Sequence, residues 1–133
     1  MKFRPLSIPL LLTLGVSSSW VQAQLLVTEI QSDGLSDYWE LTNTGSEPRD
    51  LSGYKWDDDS ENPDDPAAVT IPPGTIIAPG ESIVFAGAGV GSAENFRTQW
   101  GLTNNVQVIV GGPNFGGGDG VAFFDPSKTK LFF

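Results

Sequence analysis

Apolar and polar residues alternate with period two through this chain, and glycine or proline interrupts nearly every run. That pattern excludes long helices and selects short, half-buried strands joined by turns. The runs are Leu25–Ile30, Tyr38–Thr42, Leu51–Asp57, Val69–Ile71, Glu81–Ala86, Val106–Val110 and Val121–Asp125. Short strands at this spacing, with Gly and Pro between them, read as an all-β sandwich. One segment departs from the pattern. Ser92 is placed to cap a helix, Phe96 and Trp100 stand four residues apart, and Gly101 is placed to end it. A short helix or 3₁₀ segment over 92–100 is expected, laying both aromatics over an open end of the sandwich as core. The alternative for that pair is an aromatic platform for a ligand.

The first residues stand outside this pattern. Lys2 and Arg4 precede an apolar stretch, Leu6–Val16, and Val21 and Ala23 occupy the small-residue positions of a cleavage site. This is the layout of a secretory signal peptide over residues 1–23, and its apolar part is shorter than the ~20 residues of a membrane span. The expected product is a domain over residues 24–133, with no transmembrane segment, in the periplasm, at the cell surface or outside the cell. It carries five basic residues against sixteen acids. Scattered cations in such an excess of acid make no basic stripe, so nucleic acid and anionic lipid are excluded as partners.

Cysteine and histidine are both absent. The first absence leaves packing, or a bound cation, to hold an exported domain that has no disulfide. The second removes the Ser-His-Asp triad, His- or Cys-based zinc sites and imidazole acid–base chemistry.

Three features invite a functional reading. Asp57, Asp58, Asp59, Glu61, Asp64 and Asp65 place six carboxylates within nine residues. Such a run is either a solvated loop or a calcium site, since calcium accepts flexible clusters of oxygens. Asp57, Asp59 and Glu61 have the alternate spacing of an EF-hand. Asn62 and Ala68 stand where its glycine and bidentate glutamate belong, so an EF-hand is excluded. The glycine-rich stretch Gly111–Gly120 has neither a phosphate-loop ending nor calcium-nonapeptide spacing and reads as a strand connection. Phe115, in its middle, is expected to be exposed and to contact a partner. Glu29 and Glu40 sit inside strands suited to burial. They are expected to bond backbone groups or hydroxyls, with Arg49 or Lys55 as a charge partner. The catalytic alternative is a glycosidase pair, which needs a sugar-sized cleft. Trp39 and Trp56 are expected in the core. Tryptophans lining an accessible groove opposite Glu29 and Glu40 would argue against that reading.

An ordered set of short motifs runs through the chain: TEI at Thr28–Ile30, YWELTNTG at Tyr38–Gly45, DLSGYKWDD at Asp50–Asp58, and TIPPGTIIAPGESIVF at Thr70–Phe85. FRTQWGL at Phe96–Leu102 and GDGVAFFDP at Gly118–Pro126 complete it. This set resembles the lamin tail domain in its bacterial secreted form over nearly all of residues 25–126. The resemblance implies an immunoglobulin-like β-sandwich that is not an enzyme. It also implies a module that binds partner proteins in lamins and accompanies secreted hydrolases in bacteria.

The family pattern continues with a further strand after the closing hairpin. Here the segment after Asp125 is expected either to turn into a short last strand or to leave a truncated, open edge at Lys130–Phe133. The functional expectation is a binding module for a protein, a surface polymer or a cation-bridged glycan. An assembly domain pairing through a C-terminal edge strand and an accessory fragment of a secreted hydrolase are the alternatives.

Overall fold

The computed structural model describes residues 25–32 and 37–132. The expected export segment, residues 1–23, lies outside them, as does Phe133. Among the described residues, ten strands, a 3₁₀ turn at Ala88–Val90 and one α-helix follow in chain order. The strands are β1 Leu25–Gln31, β2 Tyr38–Asn43, β3 Arg49–Asp50, β4 Lys55–Asp57, β5 Val69–Thr70, β6 Ile76–Ile77 and β7 Ser82–Gly87. After α1, Ala93–Trp100, come β8 Gln107–Gly112, β9 Ala122–Phe124 and β10 Lys130–Phe132. One sheet has the order β1-β2-β7-β8, the other β10-β9-β4-β5, and β3 pairs with β6 in a small ribbon.

Alternation decides what fills the space between the sheets. Trp39 and Leu41 of β2, with Ile83 and Phe85 of β7, face Trp56 of β4 and Phe123 of β9, and all six are fully buried. Trp39 stacks on Phe85 at 4.4 Å and meets Trp56 and Phe123 edge-on at 5.5 and 5.7 Å. Each buried indole removes on the order of 200 Å² from water.

The structure alters the sequence pattern in the bend before β4 and in the placing of the helix. The run expected over 51–57 is strand only from Lys55, because the chain bends after β3, which ends at Asp50. Asp50 accepts from the Ser52 amide at 2.8 Å, Gly53 takes φ 76°, and pairing resumes only at Lys55. Leu51, inside the bend, is fully buried. The strand β8 runs parallel to β7, which the connection through α1 makes possible. That helix covers the outer face of the first sheet rather than an open end. Tyr38, Val84, Ala86, Val90 and Phe96 form a second apolar cluster there. Ser92 Oγ accepts from the Asn95 amide, and Gly101 closes the helix in the left-handed region. After Asp125 the chain does turn back. Asp125 Oδ1 accepts from the Ser127 and Thr129 amides, and β10 pairs with β9, stacking Phe132 on Phe123 at 5.0 Å.

Gly112, at the end of β8, is pressed against Trp56. A Cβ there would lie 2.0 Å from Trp56 Cζ2, whereas at Gly117 it would meet nothing within 4 Å. Gly112→Ala is therefore expected to cost about 1–3 kcal/mol or more by overpacking, a drop of several degrees in melting temperature. Gly117→Ala is the control and should leave it unchanged. Equal melting temperatures for the two variants would contradict this packing.

Candidate functional site

The six carboxylates of the acidic segment do not converge. Glu61 pairs with Lys130, and Asp64 pairs with Lys128 at 2.7 Å. The Lys128 ammonium holds the Asp64 carboxyl below its usual range. Asp65 Oδ1 accepts from the Ala67 amide at 2.9 Å, closing a turn. These three acids anchor the loop to the β9–β10 hairpin and to itself.

Asp57, Asp58 and Asp59 do come together. One carboxylate oxygen from each lies within 4.8 Å of the others. Asp57 ends β4 opposite Ala122 of β9 and is fully buried; Asp58 is buried and Asp59 exposed. Asp57 Oδ1 accepts from the Asp58 amide at 2.9 Å, while Asp57 Oδ2 is buried with no hydrogen-bond partner. Burial pushes the Asp58 carboxyl up to about 6. The adjacent Asp57 carboxylate and the charges on Asp59 and Asp119 also raise it. Asp119 is a neighbouring charge that sequence spacing missed. The glycine-rich connection folds back so that the Gly120 amide donates to the Asp58 carbonyl at 3.0 Å, bringing Asp119 beside the cluster. A buried acceptor without a donor, surrounded by like charge, fits a hard cation with oxygen ligands.

Phe115 is not exposed. The same fold-back carries it inside, 5% exposed and stacked on Trp56 at 6.1 Å. Its place is the core: the Trp56 ring takes the space a Gly112 side chain would fill, and Phe115 packs on that ring. It is unavailable to a partner in this fold.

Glu29 and Glu40 are Cα partners on neighbouring strands. A bulge between Val27 and Glu29 turns Thr28 and Glu29 toward the same outer face as Glu40. The Tyr38 hydroxyl donates to Glu29 at 2.8 Å and the Thr28 hydroxyl donates to Glu40. Hydroxyls are thus their partners, as expected, but Arg49 and Lys55 are not; Lys55 Nζ donates to the Pro63 carbonyl at 2.8 Å. Both carboxylates project from one sheet face rather than facing each other across a cleft, unlike a glycosidase pair.

They line a shallow groove of about 170 Å³ with Tyr38, Val84, Phe96 and Trp100. Trp39 and Trp56 lie in the core, but Trp100 is 44% exposed. The expectation that both helix aromatics pack inward holds for Phe96 alone. Among the described residues no helix is long and apolar enough to cross a membrane.

Two packed sheets with a helix laid on one outer face define an immunoglobulin-like all-β domain. The chain belongs to the Lamin Tail Domain family, whose model matches residues 19–131. That family is one of non-catalytic, interaction-type domains. A search among curated proteins returned no match to this chain.

Asp58 makes the site sensitive to acid. Its folded pKa, about 6, lies above the ordinary value of 3.8. In chelator, the folded state therefore binds the proton more tightly, and stability falls as pH rises from about 4 to about 6. The penalty is fully present above that window and absent below it. Asp58→Asn should raise the melting temperature at pH 7 in EDTA and leave it unchanged near pH 4. A difference between variant and wild type that does not vary with pH would contradict this.

Proposed function

We propose that this chain is an exported, non-catalytic binding module for a protein or cell-surface polymer, with a calcium ion bracing its loops at Asp57, Asp58 and Asp59. The observation that carries the calcium reading is the buried Asp57 Oδ2 without a donor. Leaving such a group unpaired costs on the order of 1–3 kcal/mol or more, and a cation removes that cost. Asp59 is exposed and keeps one side of the cluster open to solvent, so the ion has a route in and room for water or a ligand oxygen. A cation-bridged glycan is one ligand such an opening accepts. Glu61, Asp64 and Asp65 are left out of the ligand set because each already has a partner.

Extracellular calcium modules bind with dissociation constants of roughly 10⁻⁴–10⁻³ M. At about 10 mM calcium, linkage then adds about 1.4–2.7 kcal/mol, several degrees in melting temperature. That rise is expected at pH 7 in wild type and not in Asp57→Asn. A wild-type melt unmoved by calcium would contradict the site.

A second reading has its own observation. The edge strands β1 and β10 flank an apolar groove of about 540 Å³, with Leu26, Val27, Ile30, Val121, Leu131 and Phe132 on its walls. Leu26, Ile30 and Leu131 are exposed. Apolar sheet edges of this kind favour pairing with a second copy. Native mass spectrometry of the exported protein reads both export and assembly. A chain beginning at Gln24 is expected from leader cleavage, and a dimer that grows with concentration and disappears in Leu26→Lys/Leu131→Lys is expected from edge pairing. An uncut N-terminus contradicts the first, and a monomer at all concentrations contradicts the second.

A further inference from the structure

We propose that the groove between α1 and the outer face of β1 and β2 takes an arginine side chain of a partner protein, its guanidinium stacked on Trp100 and hydrogen-bonded to Glu29 and Glu40. The proposal goes beyond the cation site and does not rest on it. Asp57 belongs to the other sheet.

Glu29 and Glu40 stand directly opposite each other on paired strands, and like charges in that register destabilise a sheet. The bulge in β1 brings about this juxtaposition, since regular alternation would send Thr28 and Glu29 to opposite faces. Among the described residues no basic group offsets the pair. The ion pairs there are Lys128 with Asp64 and Lys130 with Glu61, and Arg97 on α1 donates Nε to the Val106 carbonyl at 3.0 Å. The negative field reaches Tyr38, whose phenol is pushed up to about 12 by burial first and then by Glu29 and Glu40.

Hydrogen-bonding capacity narrows the ligand. The groove wall offers two carboxylates, which only accept. The Tyr38 hydroxyl donates to one and the Thr28 hydroxyl to the other, so both hydroxyl protons are already committed. A sugar presents acceptors as well as donors and finds few donors here. A guanidinium presents five donors and no acceptor. It is also planar, pairs with carboxylates side-on and stacks on aromatic faces, which an ammonium does less well.

The indole is held ready for such a stack. Trp100 is the last residue of α1, fixed edge-on against Tyr38 at 5.3 Å and tilted against Phe96 at 6.0 Å. Phe96 itself meets Tyr38 edge-on at 5.1 Å and is fully buried, so the platform does not have to be ordered on binding. A cation over Trp is the strongest of the cation–π arrangements, and one beside two carboxylates gains further. The groove, about 170 Å³, suits the end of one side chain rather than an extended polymer.

The test is a titration of the whole exported chain with acetyl-Gly-Arg-Gly-amide, followed by ¹H–¹⁵N spectra that include the Trp100 indole N–H. Saturable shifts are expected at Trp100, Tyr38, Glu29 and Glu40. The lysine analogue should bind more weakly, and the citrulline analogue, neutral and nearly isosteric, about tenfold more weakly or not at all. Affinity should fall as salt is added and should be lost in Glu29→Gln/Glu40→Gln, a change of charge with little change of shape. Trp100→Ala should lose it as well. Equal binding of the citrulline peptide, an unshifted Trp100 under the arginine peptide, or shifts at Trp100 produced instead by a neutral oligosaccharide would each overturn the proposal.

Discussion

The stacked contact between Trp39 and Phe85, closed over by Trp56 and Phe123, is what the two sheets have in common. A domain with no cysteine has no covalent staple, so the area that these rings remove from water carries the fold. Small residues around the cluster follow from that demand. Gly112 has no side chain because Trp56 occupies its place, and Phe115 is drawn in from a glycine-rich connection to complete the stack. The core thereby decides the path of that connection, and the path in turn delivers Asp119 to Asp58. Packing of aromatics and grouping of acids are one arrangement here, seen from two sides.

Against that apolar order, two clusters of acid run counter to what stability alone favours. Asp57 and Asp58 are buried beside one another, and Glu29 and Glu40 are set in direct opposition. Elsewhere the chain handles its acids conventionally. Asp50 and Asp125 cap turns, and Asp64 and Glu61 meet lysines from the closing hairpin. Places where a sequence breaks local rules that it keeps elsewhere are where function is expected. The two clusters differ in setting: one gathers its oxygens at a buried strand end and loop, the other stands on an outer sheet face beside an indole.

Much of the fold was legible because its signals are local. Period-two alternation located most of the strands, and Ser92 and Gly101 marked the helix. The family motifs carried the sandwich. What escaped depends on contacts distant in sequence. The break after Asp50 follows from the Asp50–Ser52 turn and Gly53, whose effects overrode the alternation of Tyr54 and Trp56. Nothing local says that Lys128 and Lys130 will reach back to the acidic loop, so the run alone does not separate a solvated loop from a cation site or show that only three of its carboxylates converge. Phe115 looked exposed because glycines surround it, although a missing Cβ is also what admits a ring. The spacing of Trp100 from Phe96 points inward. At the last turn of a short helix, though, one face serves both the sheet and solvent. A bulge is nearly invisible in sequence, and with it the opposition of Glu29 and Glu40.

Terbium luminescence asks most directly whether the buried carboxylate of Asp57 is there to hold a cation. The lanthanide takes calcium's oxygen ligands, and Trp56, the neighbour of Asp57 in β4, is suited to sensitise it. If Asp57 holds a cation, tryptophan-sensitised emission saturates, is displaced by calcium and disappears in Asp57→Asn. Emission that is absent, or that survives unchanged in that variant, would contradict it.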